Sequence, residues 1–102
     1  MMLKPGLRLR SQVCEGEIIV VRAPSEEIDL TCGGHPMLDF AAVPATGLVP
    51  NPGLDGGSLL GKRFEREEGD FEVLVTRAGR GTLCIGEEPL RLKEAEPLPS
   101  SD

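Results

Sequence analysis

The chain has 102 residues, carries 17 acidic against 11 basic side chains for a formal charge of −6, and contains three Phe but no Tyr or Trp. That length sets one domain. The acidity excludes a nucleic-acid surface built on clustered Lys and Arg, and the missing aromatics exclude a single-strand stacking platform. With so few aromatic core fillers in a small core, a metal, a disulfide or a partner subunit is expected to add stability.

The basic N-terminus "MMLKPGLRLR" is not followed by the apolar stretch that a signal peptide needs. The longest wholly apolar run, "IIVV" at 18–21, is too short to cross a bilayer. The expectation is a cytoplasmic protein with reduced thiols and no membrane or nucleic-acid partner.

In chain order the signals are all strand. "GLRLRSQV" alternates Leu7 and Leu9 with Arg8 and Arg10, and "EIIVVR" (17–22) is β-branched and continuous, as in a strand covered on both sides. "EIDLTC" (27–32) alternates Ile28 and Leu30 with Asp29 and Thr31; with "APSEE" as a hairpin connection, these pieces predict a small N-terminal antiparallel sheet. Residues 39–57, with three Pro and four Gly, predict an irregular linker. "SLLGKRFE" predicts a further strand. "FEVLVTR", "TLCIG" and "PLRLK" then predict a three-stranded meander, and 96–102 a frayed tail. No fixed-period repeat is evident.

The stretch "LRSQVCEGEIIVVRAPSEEIDLTCGGHPML" resembles the desulforedoxin family, which includes the N-terminal module of desulfoferrodoxin. The likeness lies in two knuckles, "SQVC" and "CGGHPM", separated by a hydrophobic hairpin, and it covers residues 7–38. It implies a rubredoxin-type hairpin module at the N-terminus (1–38); with the strand signals of the remainder, the expectation is a small all-β protein in which that module packs, across the 39–57 linker, on an antiparallel β-meander (58–95). It also implies a homodimer, and one iron held by four thiolates. This chain places Ser11, Cys14, Cys32 and Gly33 at those four ligand positions, so two thiolates remain. On this likeness Cys14 and Cys32 are expected to be near neighbours.

The remaining chemistry is sparse. His35, the only histidine, lies three residues after Cys32 beside a glycine turn, and Cys84 is the third thiol. Cys14, Cys32, His35 and Cys84 together would satisfy the chemistry of zinc, or of iron, although their spacing is no known zinc signature. "LGKRFE" lacks the glycine spacing of a phosphate loop, and no Gly-x-Ser-x-Gly nucleophile motif exists. "RAGRG" (77–81) could bind an anion through Arg77 and Arg80, or could be a plain hairpin connection.

Three functions follow. The leading one is a non-enzymatic accessory protein that docks a protein partner on the degenerate knuckle module. The second is a zinc or iron protein using Cys14 and Cys32 with His35 or Cys84. The third is a thiol/disulfide redox protein working through Cys14 and Cys32.

Overall fold

The computed structural model describes residues 2–44 and 47–93, and among them every regular element is a strand. The all-β reading is correct, and the predicted tail at 96–102 lies outside the described residues. The first half of the chain supplies β1 (Arg8–Arg10), β2 (Glu17–Arg22), β3 (Leu30–Cys32), β4 (His35–Pro36) and β5 (Leu38–Asp39). The second supplies β6 (Arg63–Glu65), β7 (Glu72–Arg77), β8 (Leu83–Ile85), β9 (Glu88–Pro89) and β10 (Arg91–Leu92). They form a six-stranded sheet, β10-β6-β7-β2-β1-β5, and a four-stranded one, β4-β3-β8-β9.

Both strand orders are palindromes. Exchanging β1 with β6, β2 with β7, β3 with β8, β4 with β9 and β5 with β10 returns each sheet to itself. The registers obey the same exchange. Arg8 opposes Ile19 as Arg63 opposes Leu74, and Thr31 opposes Pro36 as Cys84 opposes Pro89. Even the irregularity repeats: in the β2–β7 pair Val21 and Thr76 are each skipped by the ladder.

Loop bonds match as well. Gly6 N–H donates to Val20 O at 2.7 Å and Gly61 N–H to Val75 O at 2.9 Å, while Met37 N–H donates to Leu30 O as Leu90 N–H does to Leu83 O. The chain is thus two equivalent five-strand units related by a pseudo-twofold axis, which passes between Ile19 and Leu74 in one sheet and between Thr31 and Cys84 in the other.

A repeat thus exists where the sequence showed none of fixed period. Equivalent residues are 55 positions apart through β1 and β2 but 53 apart from β3 onward, so no single period fits. The identities that survive are Gly6/Gly61, Arg8/Arg63, Glu17/Glu72, Val20/Val75, Arg22/Arg77 and Ala23/Ala78 at the first offset, and Leu30/Leu83, Gly33/Gly86 and Pro36/Pro89 at the second.

The connectivity differs from the expected hairpins for the same reason. "EIIVVR" and "EIDLTC" do not pair; β2 lies between β1 and β7, and β3 between β4 and β8. The predicted meander is also not formed: β7 and β8 lie in different sheets, and "PLRLK" divides into β9, beside β8, and β10, beside β6. A long strand needs two neighbours to satisfy both edges, and the symmetry-related strand of the other half supplies the second one. Among the described residues of the predicted linker only Asp39 is in a strand, and "SLLGKRFE" is a strand only from Arg63, after Gly61 turns the chain at φ +81°.

The core fills from both halves. Leu9, Ile18, Val20, Ile28 and Met37 meet Phe71, Val73, Val75, Leu83 and Leu90. Beside it, the buried Glu72 carboxylate pairs with Arg63 at 3.1 Å and Lys93 at 2.6 Å. Burial raises its pKa, but the bonds from Lys93 and Arg63 outweigh this and hold it below the usual carboxylate range.

Phe71 is fully buried and the only aromatic side chain so placed. Phe71→Ala is expected to cost about 3–5 kcal/mol, read as a lowered midpoint in urea unfolding at unchanged slope.

Candidate functional site: a thiol pair where the two halves cross

Cys14 sits in the loop between β1 and β2, and Cys32 ends β3, so one belongs to the six-stranded sheet and the other to the four-stranded sheet. Their sulfurs are 3.9 Å apart, and both are free thiols. The expected meeting of two residues 18 positions apart therefore occurs. Cys32 is buried (1% exposed) and Cys14 is half-buried.

The crossover from β7 to β8, residues 78–82, lies over the pair. It is the "RAGRG" stretch, a connection between sheets and not the hairpin the sequence suggested. A Cβ on Gly79 would lie 2.6 Å from Cys14 Sγ and 2.7 Å from the Gly16 backbone, and one on Gly81 would lie 2.5 Å from Cys32 Sγ. Only glycine permits this approach.

The pseudo-twofold provides an internal comparison. The positions equivalent to Gly16, Gly79 and Gly81 are Phe71, Glu26 and Ile28, and those equivalent to Cys14 and Cys32 are Gly69 and Ile85. One half fills this place with core side chains and an ion pair, Glu26 to Arg66 at 2.6 Å. The other clears it with glycines for two thiols.

The two thiols are electrically unequal. The Cys14 thiol is lowered to about 4, chiefly by the hydrogen bond from Cys32 and against the opposing effect of burial. Ser11 and the backbone of Gly81 and Gly16 add to the lowering, the Gly16 N–H at 3.4 Å from Sγ. Cys32 is pushed far up, because it holds the proton donated to Cys14 and because it is buried. At neutral pH the pair is thus a Cys14 thiolate accepting from a Cys32 thiol.

Of the remaining expected ligand positions only Ser11 reaches the pair, its hydroxyl bonding to both sulfurs. Ser11 is buried, and its hydroxyl accepts the Val13 N–H at 3.0 Å. Gly33 has φ +63°, and a Cβ there would come within 2.8 Å of Val13, while Asn51 N–H caps the Gly33 carbonyl at 2.8 Å. The place of the fourth ligand is therefore closed by the linker. His35 opposes Cys32 on β4, and Cys84 is fully buried with its sulfur 3.8 Å from Thr82 O, neither at the surface nor completing the pair. Among the described residues no group of three His, Cys, Asp or Glu stands close enough to hold a metal. The sequence reading missed the crossover glycines; the signal was the close-set Gly79 and Gly81.

Comparison with known protein families, curated proteins and solved structures finds no match. The desulforedoxin likeness therefore rests on the quoted residues alone.

Two outcomes follow. Iodoacetamide alkylation of Cys14, read by mass spectrometry, is expected to run at a constant rate between about pH 6 and 8, where an ordinary thiol near pKa 8.5 gains about tenfold per pH unit. Stability should also respond. Between the folded value of about 4 and the unfolded value near 8.5, the folded pair carries one proton fewer than the unfolded chain, so stability rises with pH. Above that range the unfolded chain has lost both protons while Cys32 keeps its own, so stability falls. Urea midpoints across pH 5–10 should peak near pH 8.5 and lose that peak in Cys14→Ser.

Proposed function

We propose that this protein is a thiol/disulfide redox protein in which Cys14 is the attacking thiol and Cys32 the resolving one. The observation that carries this reading is the 3.9 Å separation of two free sulfurs held by opposite sheets. A disulfide needs an S–S distance of about 2.05 Å, so closure asks for a movement of only about 2 Å. Half-exposure of Cys14 gives an external disulfide access, and burial of Cys32 reserves it for the internal step.

The reaction balances with a disulfide as oxidant. The Cys14 thiolate attacks one sulfur of an external disulfide, its S–S bond breaks, and one thiolate leaves as a mixed disulfide forms on Cys14. Cys32 then gives up its proton and attacks Cys14 Sγ. The Cys14–Cys32 bond forms, and the second external group departs as a thiol. Two protein thiols and one disulfide become one protein disulfide and two thiols. The buried Ser11 hydroxyl and the Gly16 N–H hold Cys14 as the anion throughout the resting state. Among the described residues the metal reading finds no third His, Cys, Asp or Glu beside the pair, and the accessory-protein reading gives the pairing no use.

The test is oxidation with hydroxyethyl disulfide followed by mass spectrometry. The expected product has lost about 2 Da, one disulfide's worth of hydrogen, with Cys14 and Cys32 linked and Cys84 still open to alkylation after unfolding. Cys32→Ser should accumulate the mixed disulfide on Cys14. A product linked through Cys84, or three thiols left free after prolonged oxidation, would overturn the reading.

A further inference from the structure

Zinc or iron held by thiolates takes four donors, and among the described residues the thiol pair has no third His, Cys, Asp or Glu beside it. A soft monovalent cation with a filled d shell asks for less, since two thiolates satisfy it. A metal–thiolate bond is about 2.3 Å long, so sulfurs 3.9 Å apart subtend about 115° at an ion between them, and an opening of about 0.7 Å makes the line straight. Closure to a disulfide needs about 2 Å, so the ion asks for the smaller movement.

The charge fits as well. The resting pair holds one proton between two sulfurs and carries a single negative charge. Exchange of that proton for Cu(I) leaves the same charge on the same two atoms. The donors that hold the anion, the Gly16 N–H at 3.4 Å from Cys14 Sγ and the buried Ser11 hydroxyl, keep their partner. A divalent ion would cancel that charge.

The surroundings suit a soft ion. Cys32 is buried, and the crossover lies so close that a Cβ on Gly79 would stand 2.6 Å from Cys14 Sγ and one on Gly81 2.5 Å from Cys32 Sγ. Cover of this kind keeps water and harder ligands away from a metal, while half-exposed Cys14 gives it a way in. Across the pseudo-twofold the equivalent positions are Gly69 and Ile85, so the pair has no counterpart in the other half.

We propose that Cys14 and Cys32 bind one Cu(I) ion as a two-coordinate bis-thiolate, the ion taking the place of the proton between the sulfurs. Each Sγ forms one bond to copper, the Cys32 proton passes to solvent, and no electron changes hands. Thiolate softness selects Cu(I) over harder divalent ions. This inference goes beyond the redox reading and does not rest on it, because ion and disulfide are alternative states of one pair.

The test is anaerobic titration of the reduced protein into the Cu(I)–bicinchoninate complex, read by loss of its colour, with X-ray absorption spectra of the loaded protein. One Cu(I) per chain is expected, with two sulfur neighbours. Cys84→Ser retains only these two thiols and should change the affinity less than about threefold with the same two-sulfur spectrum, as should His35→Ala. Cys14→Ser and Cys32→Ser should each lose more than about a hundredfold, since one thiolate alone does not complete the site. Wild-type protein that takes no copper from bicinchoninate, a third sulfur or a nitrogen in the spectrum, or a loss in Cys84→Ser equal to that in Cys14→Ser would each overturn the proposal. The spectra of the wild type and of Cys84→Ser decide it even where a Cys14 or Cys32 variant does not fold. Oxidation by hydroxyethyl disulfide involves no copper, so failure here leaves the redox reading to its own test.

Discussion

The antiparallel pairing of β2 with β7 places the longest strand of each half against its counterpart, Ile18 opposite Val75 and Val20 opposite Val73. The other strands take their places from it. β1 and β6 flank the pair on either side, β5 and β10 close the edges, and β3 and β8 repeat the same pairing in the second sheet. Neither half could bury Ile18 or Val73 alone, because the inner edge of each strand would then present unpaired backbone groups. Shared strand pairing, more than core size, is how a chain with three Phe and no Tyr or Trp closes around a single core.

The thiol site grows out of this crossing of halves. Its two sulfurs come from one half, and the glycines that admit them, Gly79 and Gly81, come from the other. The equivalent place across the axis carries Phe71, Ile28 and the Glu26–Arg66 pair, so symmetry of backbone coexists with asymmetry of chemistry. Two thiols this close share protons unequally, and the more exposed one becomes the anion. A half-buried thiolate backed by a buried thiol is the arrangement on which the proposed disulfide exchange rests.

Much of the architecture was legible in the residues. Alternation in "RLR" and "FEVLVTR", and the continuous run "EIIVVR", located the strands, because side chains on a strand reverse face at every residue. The two knuckles located Cys14 and Cys32 as neighbours. Strand partners were not legible, because nearest-in-sequence pairing is the default expectation and this fold pairs each central strand with its counterpart 55 or 53 residues away. The repeat stayed hidden because it survives in backbone-serving residues such as Gly6 and Gly61, and because two residues are lost between β7 and β8 relative to the first half.

The sequence by itself determined an acidic all-β chain and the positions of its strands. Those are consequences of residue type and local periodicity, which need no partner to be read. Only the tertiary structure decided that the two halves are equivalent, that Cys84 and His35 stand apart from the pair, and that a glycine crossover presses on both sulfurs. Each of these depends on groups far apart in the chain. Their meeting is set by which strand edges pair and by how much room a missing Cβ leaves, and neither quantity is carried by any short stretch of residues.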